Sequence, residues 1–100
     1  MPRERKAVEA ALEAKGFQRR EGNHHYFTYV AKDGRTSRAR TKTSHSPKAR
    51  TLSDGLLGQM ANQCRLTKPD FLKLVDCPLT RDEYERRLSE QGHLTRGSSR

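Results

Sequence analysis

The apolar positions of this chain change their spacing twice, and each spacing predicts a different kind of element. From Arg3 to Lys15 the residues Val8, Ala11, Leu12 and Lys15 fall on one side of a helical wheel, within a stretch rich in Ala, Glu, Lys and Leu. A helix with a narrow apolar stripe is predicted there, with Gly16 as its C-terminal cap. The spacing then shortens to alternation. Phe17–Glu21, His24–Ala31 and Thr36–Thr43 read as three short strands. Gly22-Asn23, both tolerant of positive φ, supply the first turn, and Asp33-Gly34 is a strong signal for the second.

Helical spacing returns at Leu56, Leu57, Met60 and Ala61, in a helix capped by Thr51 or Ser53 and running to about Cys64. Thr67-Lys68-Pro69-Asp70 reads as a second helix start, with Thr as cap and Pro in the first turn. Phe71, Leu72, Leu74 and Val75 would be buried by that helix, and Pro78 stops it. Thr80-Arg81-Asp82-Glu83 opens a third through about Gln91, carrying Tyr84 and Leu88 and ended by Gly92. Residues 93–100 read as a flexible tail. A helix, a three-stranded antiparallel meander and then helices predict one α+β domain over residues 1–92, with the helices packed on one face of the sheet and the other face open.

Alternation also sorts the side chains. In the second strand His25, Phe27, Tyr29 and Ala31 share one side, and His24, Tyr26, Thr28 and Val30 the other. Phe27 and Tyr29 are the bulkier apolar pair, so their side is assigned to the helices and His24 with Tyr26 to the open face. His25 rides with the core set and needs a partner or the sheet edge. In the third strand Arg38, Arg40 and Lys42 share a side. Three unpaired cations cannot face a core, so they point to water on the face of His24.

Charge sharpens this picture. Lys and Arg number 21 against 12 Asp and Glu, a formal charge of +9. From Arg35 to Ser53 there are six cations and no acid. A charged edge strand guards against aggregation, but that duty does not require acids to be absent. Phosphate contact explains both facts, so nucleic acid is the expected partner. The core is thin: the chain lacks Ile and Trp, and Leu, Val and Phe together number 16.

Cys64 and Cys77 are the only cysteines, and the N-terminus has no apolar export signal. Both thiols are expected to stay reduced, in a cytoplasmic protein. No apolar run approaches membrane-spanning length. No pair among His24, His25, His45, Cys64 and Cys77 has zinc-finger spacing, so no metal or other cofactor is expected.

The segment Arg19-Arg20-Glu21-Gly22-Asn23-His24-His25-Tyr26-Phe27 resembles the arginine, glycine-serine-histidine and aromatic signature of HicA-type toxins. These are small mRNA interferases with a double-stranded-RNA-binding-domain-like fold. Thr51-Leu52, Gln63 and Phe71 match later positions of the pattern, and His45 falls near a second histidine often found after the third strand. The resemblance spans residues 7 to 75. Asn23 stands where the family has serine, the third strand carries Arg and Lys in place of an apolar, proline-containing pattern, and the helix at 80–91 is extra.

The resemblance implies a metal-independent endoribonuclease of a type II toxin–antitoxin pair. His24 would be the catalytic acid or base, His45 or Tyr26 its assistant, and an antitoxin its partner, which the +9 charge suggests is acidic. Arg19, Arg20, Arg38, Arg40 and Lys42 are the expected nucleic-acid contacts. Cleaving RNA needs a base, an acid and cations on the phosphate. Histidine titrates near neutrality and suits the first two tasks. The alternatives are a non-catalytic RNA-binding module of the same fold and, third, a DNA-binding regulator using the helices of 53–75. The would-be recognition helix of that regulator is mostly apolar and looks committed to the core.

Overall fold

The structure, a computed structural model, describes residues 3–44, 50–76 and 78–94; His45 and Cys77 lie outside them. The order is β1 (Arg3–Glu4), α1 (Arg5–Ala14), β2 (Phe17–Glu21), β3 (His25–Val30), β4 (Thr36–Thr43), β5 (Thr51–Leu52), α2 (Asp54–Gln63), α3 (Lys68–Val75) and α4 (Arg81–Glu90). It is an α+β fold: β2, β3 and β4 form a three-stranded antiparallel sheet in that order, and four helices accompany it. No helix of the described residues is long and apolar enough to cross a membrane.

The helix of residues 3–15 starts two residues later than the pattern predicts. Arg3 and Glu4 instead pair with Leu52 and Thr51 in a two-stranded ribbon, and the Arg5 amide donates to the Arg50 carbonyl. Two-residue strands leave no alternation to read, and the pairing joins segments almost fifty positions apart.

The first and third meander strands have the expected bounds, while the second is one residue shorter at each end, which leaves His24 in the turn and Ala31 outside the strand. Tyr29 and Phe27 are fully buried, as are Val8 and Leu12 of α1, Leu57 of α2, Phe71 and Leu74 of α3, and Tyr84 of α4. The core therefore sits between one face of the sheet and the helices. Leu72 and Val75 are only half-buried. The expected side-chain caps form: Ser53, Thr67 and Thr80 accept hydrogen bonds from the amides of Leu56, Asp70 and Glu83. Gly16 and Gly34 hold φ of +101° and +92°, closing α1 and the second hairpin.

The first turn differs from expectation. Gly22 and Asn23 form it, with the Gly22 amide donating to the His24 carbonyl, yet neither takes a positive φ. The glycine leaves room for a neighbour: a Cβ at 22 would meet the exposed Tyr26 ring at 3.2 Å, a tight contact that needs the ring to shift by a few tenths of an ångström.

The third helix of the second half, α4, is part of the core. The Tyr84 ring packs edge-on to Tyr29 and stacks with Phe17, at centroid distances of 5.1 and 5.7 Å. Its hydroxyl donates to the Cys64 carbonyl at the end of α2. Beyond Gly92 the chain turns back to the sheet: the Arg38 amide donates to the His93 carbonyl, and Leu94 bridges to Ser37. Residues 93 and 94 thus lie along the outer edge of β4.

Candidate nucleic-acid interface

β4 separates its side chains cleanly. Ser37, Ala39, Thr41 and Thr43 are buried, and Thr36, Arg38, Arg40 and Lys42 are exposed. The cross-strand register extends that exposed set across the sheet. Lys42 lies opposite Tyr26, Arg40 opposite Thr28, and Tyr26 opposite Arg20. Arg20, Tyr26, Arg38, Arg40 and Lys42 therefore share one face, and no described helix covers it. Its remaining members, Gln18, Thr28, Val30 and Thr36, include no acid. The middle of the face is a shallow depression of about 740 Å³ between Arg20, Tyr26, Arg40 and Lys42.

No ion pair is made by Arg20, Arg38, Arg40 or Lys42 among the described residues. Several other cations do have acid partners, Arg3 with Asp76, Arg5 with Glu9, Arg87 with Asp70, Lys32 with Asp82 and Lys68 with Asp54. Helix-surface cations such as Lys73 and Arg86 make no ion pair among the described residues; what sets the sheet face apart is that its cations are clustered. The Lys68 ammonium holds the Asp54 carboxyl down to about 2, well below the usual carboxylate range. Four clustered guanidinium and ammonium groups without counter-charges attract an anion, and their extended layout suits a polyanion better than a single phosphate.

Arg19 is placed differently. Its position opposite Phe27 puts it on the helix side of the sheet edge. There its guanidinium lies 2.7 Å from Glu21, 3.3 Å from Glu13 and 4.0 Å from Glu9, over the Phe27 ring. His25 finds the partner it needs in the same cluster: its Nδ1 is 2.7 Å from Glu21 Oε1. A carboxylate only accepts, so Nδ1 is the donor.

His24 ends the turn just before β3 and is half-buried. Its ring lies 5.9 Å from the Tyr26 ring, at the end of the open face. Its other side borders a separate cavity shared with Lys42, Ser44 and residues of α2. Nδ1 is buried and has no hydrogen-bond partner among the described residues, so no hydrogen bond from the described residues to Nδ1 fixes the tautomer of this imidazole. His45, the expected assistant, lies outside the described residues. The fold thus brings together His24, Tyr26, Arg20, Arg38, Arg40 and Lys42, while Arg19, which also borders the depression, holds its guanidinium among Glu9, Glu13 and Glu21.

Arg5 and Gln59 were not singled out from the sequence, and Gln63 only as a match to the family pattern, yet all three line the His24 cavity. They come from α1 and α2, and no local signal ties them to the turn. Among the described residues no group of histidine, cysteine and carboxylate side chains could hold a metal ion. Cys64 is buried, and desolvation pushes its thiol far above the ordinary value, so it packs as a small apolar group. In comparisons with known proteins, the chain matches no family profile, no curated protein and no solved structure.

Proposed function

We propose that this protein is an RNA-binding endoribonuclease of the HicA type, with the uncovered sheet face as its RNA surface and His24 as its acid or base. The observation that carries this reading is the meeting of four cations that make no ion pair among the described residues with the His24 imidazole, whose ring lies 5.9 Å from that of Tyr26 on the same face. The cations hold the phosphates, and Tyr26, 38% exposed, offers a ring on which a base can stack. His24 then takes the proton of the ribose 2′-hydroxyl or protonates the leaving oxygen. The order of elements fits a double-stranded-RNA-binding-domain-like fold with α4 added. An acidic antitoxin would be drawn to the same face and would block it.

The second reading is an RNA-binding module without cleavage. It is favoured by one observation: no hydrogen-bond partner for His24 Nδ1 stands ready among the described residues.

Labelled RNA incubated with the purified protein in the presence of a chelator separates the two. The toxin reading expects cleavage that His24→Ala lowers by roughly 10²–10⁴-fold, with RNA affinity changed little. Retarded but intact RNA would favour the module, and cleavage by the alanine variant at the parent rate would remove His24 from the chemistry.

A further inference from the structure

The open sheet face leaves unexplained a second cavity, of about 210 Å³, which lies round the edge of β4 between its C-terminal end, β5 and α2. Its walls divide by chemistry. Leu52, Leu56 and Met60 are apolar, while His24, Gln59 and Gln63 are polar. Leu56 is 46% exposed, one of two large hydrophobic side chains open to water among the described residues. The buried Nδ1 of His24 lacks a partner among the described residues. An exposed leucine and an unsatisfied ring nitrogen on one cavity both gain from a planar ligand with apolar faces and a polar edge. The cavity is smaller than the ~300–1,000 Å³ common for whole drug-sized ligands, which suits one ring system with the sugar and phosphate left outside. Lys42 stands at its rim and belongs to the open face as well, so a phosphate held there sits between the two.

We propose that this cavity is a nucleobase pocket, taking the base next to the phosphate on which His24 acts. The inference rests on the RNA reading and adds a place for base selection to it. Gln63 sets the preference. Its Oε1 already accepts from the Thr41 hydroxyl at 2.7 Å, which leaves the amide NH₂ to donate. A donor favours a keto edge over an amino edge, so guanine through O6 and uracil through O4 are favoured over adenine and cytosine, which present an NH₂ donor at the corresponding position.

The test uses the full chain, ¹⁵N-labelled, titrated with guanosine 5′-monophosphate and separately with ribose 5-phosphate while amide resonances are followed. The expected result is saturable shifts at Leu56, Gln59, Gln63 and His24 with the nucleotide, and shifts confined to the Arg40–Lys42 region with the sugar phosphate. Leu56→Ala, at an exposed position that keeps the fold, weakens the nucleotide roughly tenfold and leaves ribose 5-phosphate unchanged. Gln63→Leu reduces the preference for the guanine over the adenine nucleotide. Equal shifts in the cavity with ribose 5-phosphate would show a phosphate site and overturn the pocket, as would a guanine nucleotide that moves nothing there. A short RNA added in parallel keeps the two readings apart. RNA that binds while the nucleotide leaves the cavity untouched defeats the pocket alone, and a filled cavity without RNA binding defeats the RNA reading alone.

Discussion

Gly16 illustrates how one residue's missing side chain supports a distant contact. A Cβ there would lie 2.5 Å from Arg81 Nε and 2.9 Å from Tyr29 Cε1, on a backbone at φ +101°. Arg81 is one link between α4 and β3, donating to the Tyr29 hydroxyl and the Val30 carbonyl. Gly16→Ala is therefore expected to cost at least about 1–2 kcal/mol from the backbone alone, seen as a lower urea midpoint. Arg65 presents the opposite case. It has φ +65° just beyond α2, where Leu66 and Arg65 donate back to Ala61 and Asn62 in a helix-closing turn that favours glycine. Arg65→Gly should raise stability by about 1 kcal/mol and lift the melting temperature. Tyr29 makes stability depend on alkaline pH. Burial, then the hydrogen bond to Glu85, pushes its hydroxyl from 10.0 up to about 12 against the opposing pull of Arg81. The folded state holds that proton more tightly than the unfolded one, so its contribution is complete below pH 10 and disappears as pH rises through 12. Denaturant titrations should show the parent losing stability across this window relative to Tyr29→Phe.

At the scale of elements, α4 decides whether the sheet is held. It supplies Tyr84 and Leu88 to a core that is short of large apolar residues. Tyr84→Ala removes two ring contacts and the hydrogen bond to the end of α2. A loss of about 3–5 kcal/mol is expected, a large share of the ~5–15 kcal/mol available to an ordinary domain, and thermal unfolding should lose its cooperativity. Elements of this kind were legible from the chain. Thr67 and Thr80 announce α3 and α4 by local capping chemistry, and the alternation of Arg38, Arg40 and Lys42 with Ala39, Thr41 and Thr43 orients β4 without any tertiary information. β1 and β5 were not legible, because their pairing is long-range and two residues show no period. The docking of His93 and Leu94 on the β4 edge escaped for the same reason: an isolated bridge has no local pattern.

At the scale of the whole molecule, the distribution of charge matters more than its sum. The +9 excess could be spread evenly, and instead four cations that make no ion pair among the described residues gather on the face the helices leave open. That clustering was readable from strand parity for Arg38, Arg40 and Lys42. Parity on β2 sets Arg19 on the side of Phe17 and Glu21, away from Arg20, but Glu9 and Glu13, which also engage it, come from a helix and leave no local signal. The cavity beside His24 was likewise invisible, since its walls come from β4, β5 and α2 and only folding brings them together. The most direct test compares the salt dependence of RNA affinity for two double variants of equal charge change. One carries Arg40→Ala with Lys42→Ala on the open face, and the other Lys73→Ala with Arg86→Ala, both exposed on helices. The account predicts that the first weakens binding and flattens the logarithmic salt slope by about 2, roughly one unit per lost phosphate contact, while the second leaves the slope at the parent value. Equal losses from both pairs would contradict it, because RNA would then be following net charge and not this face of the sheet.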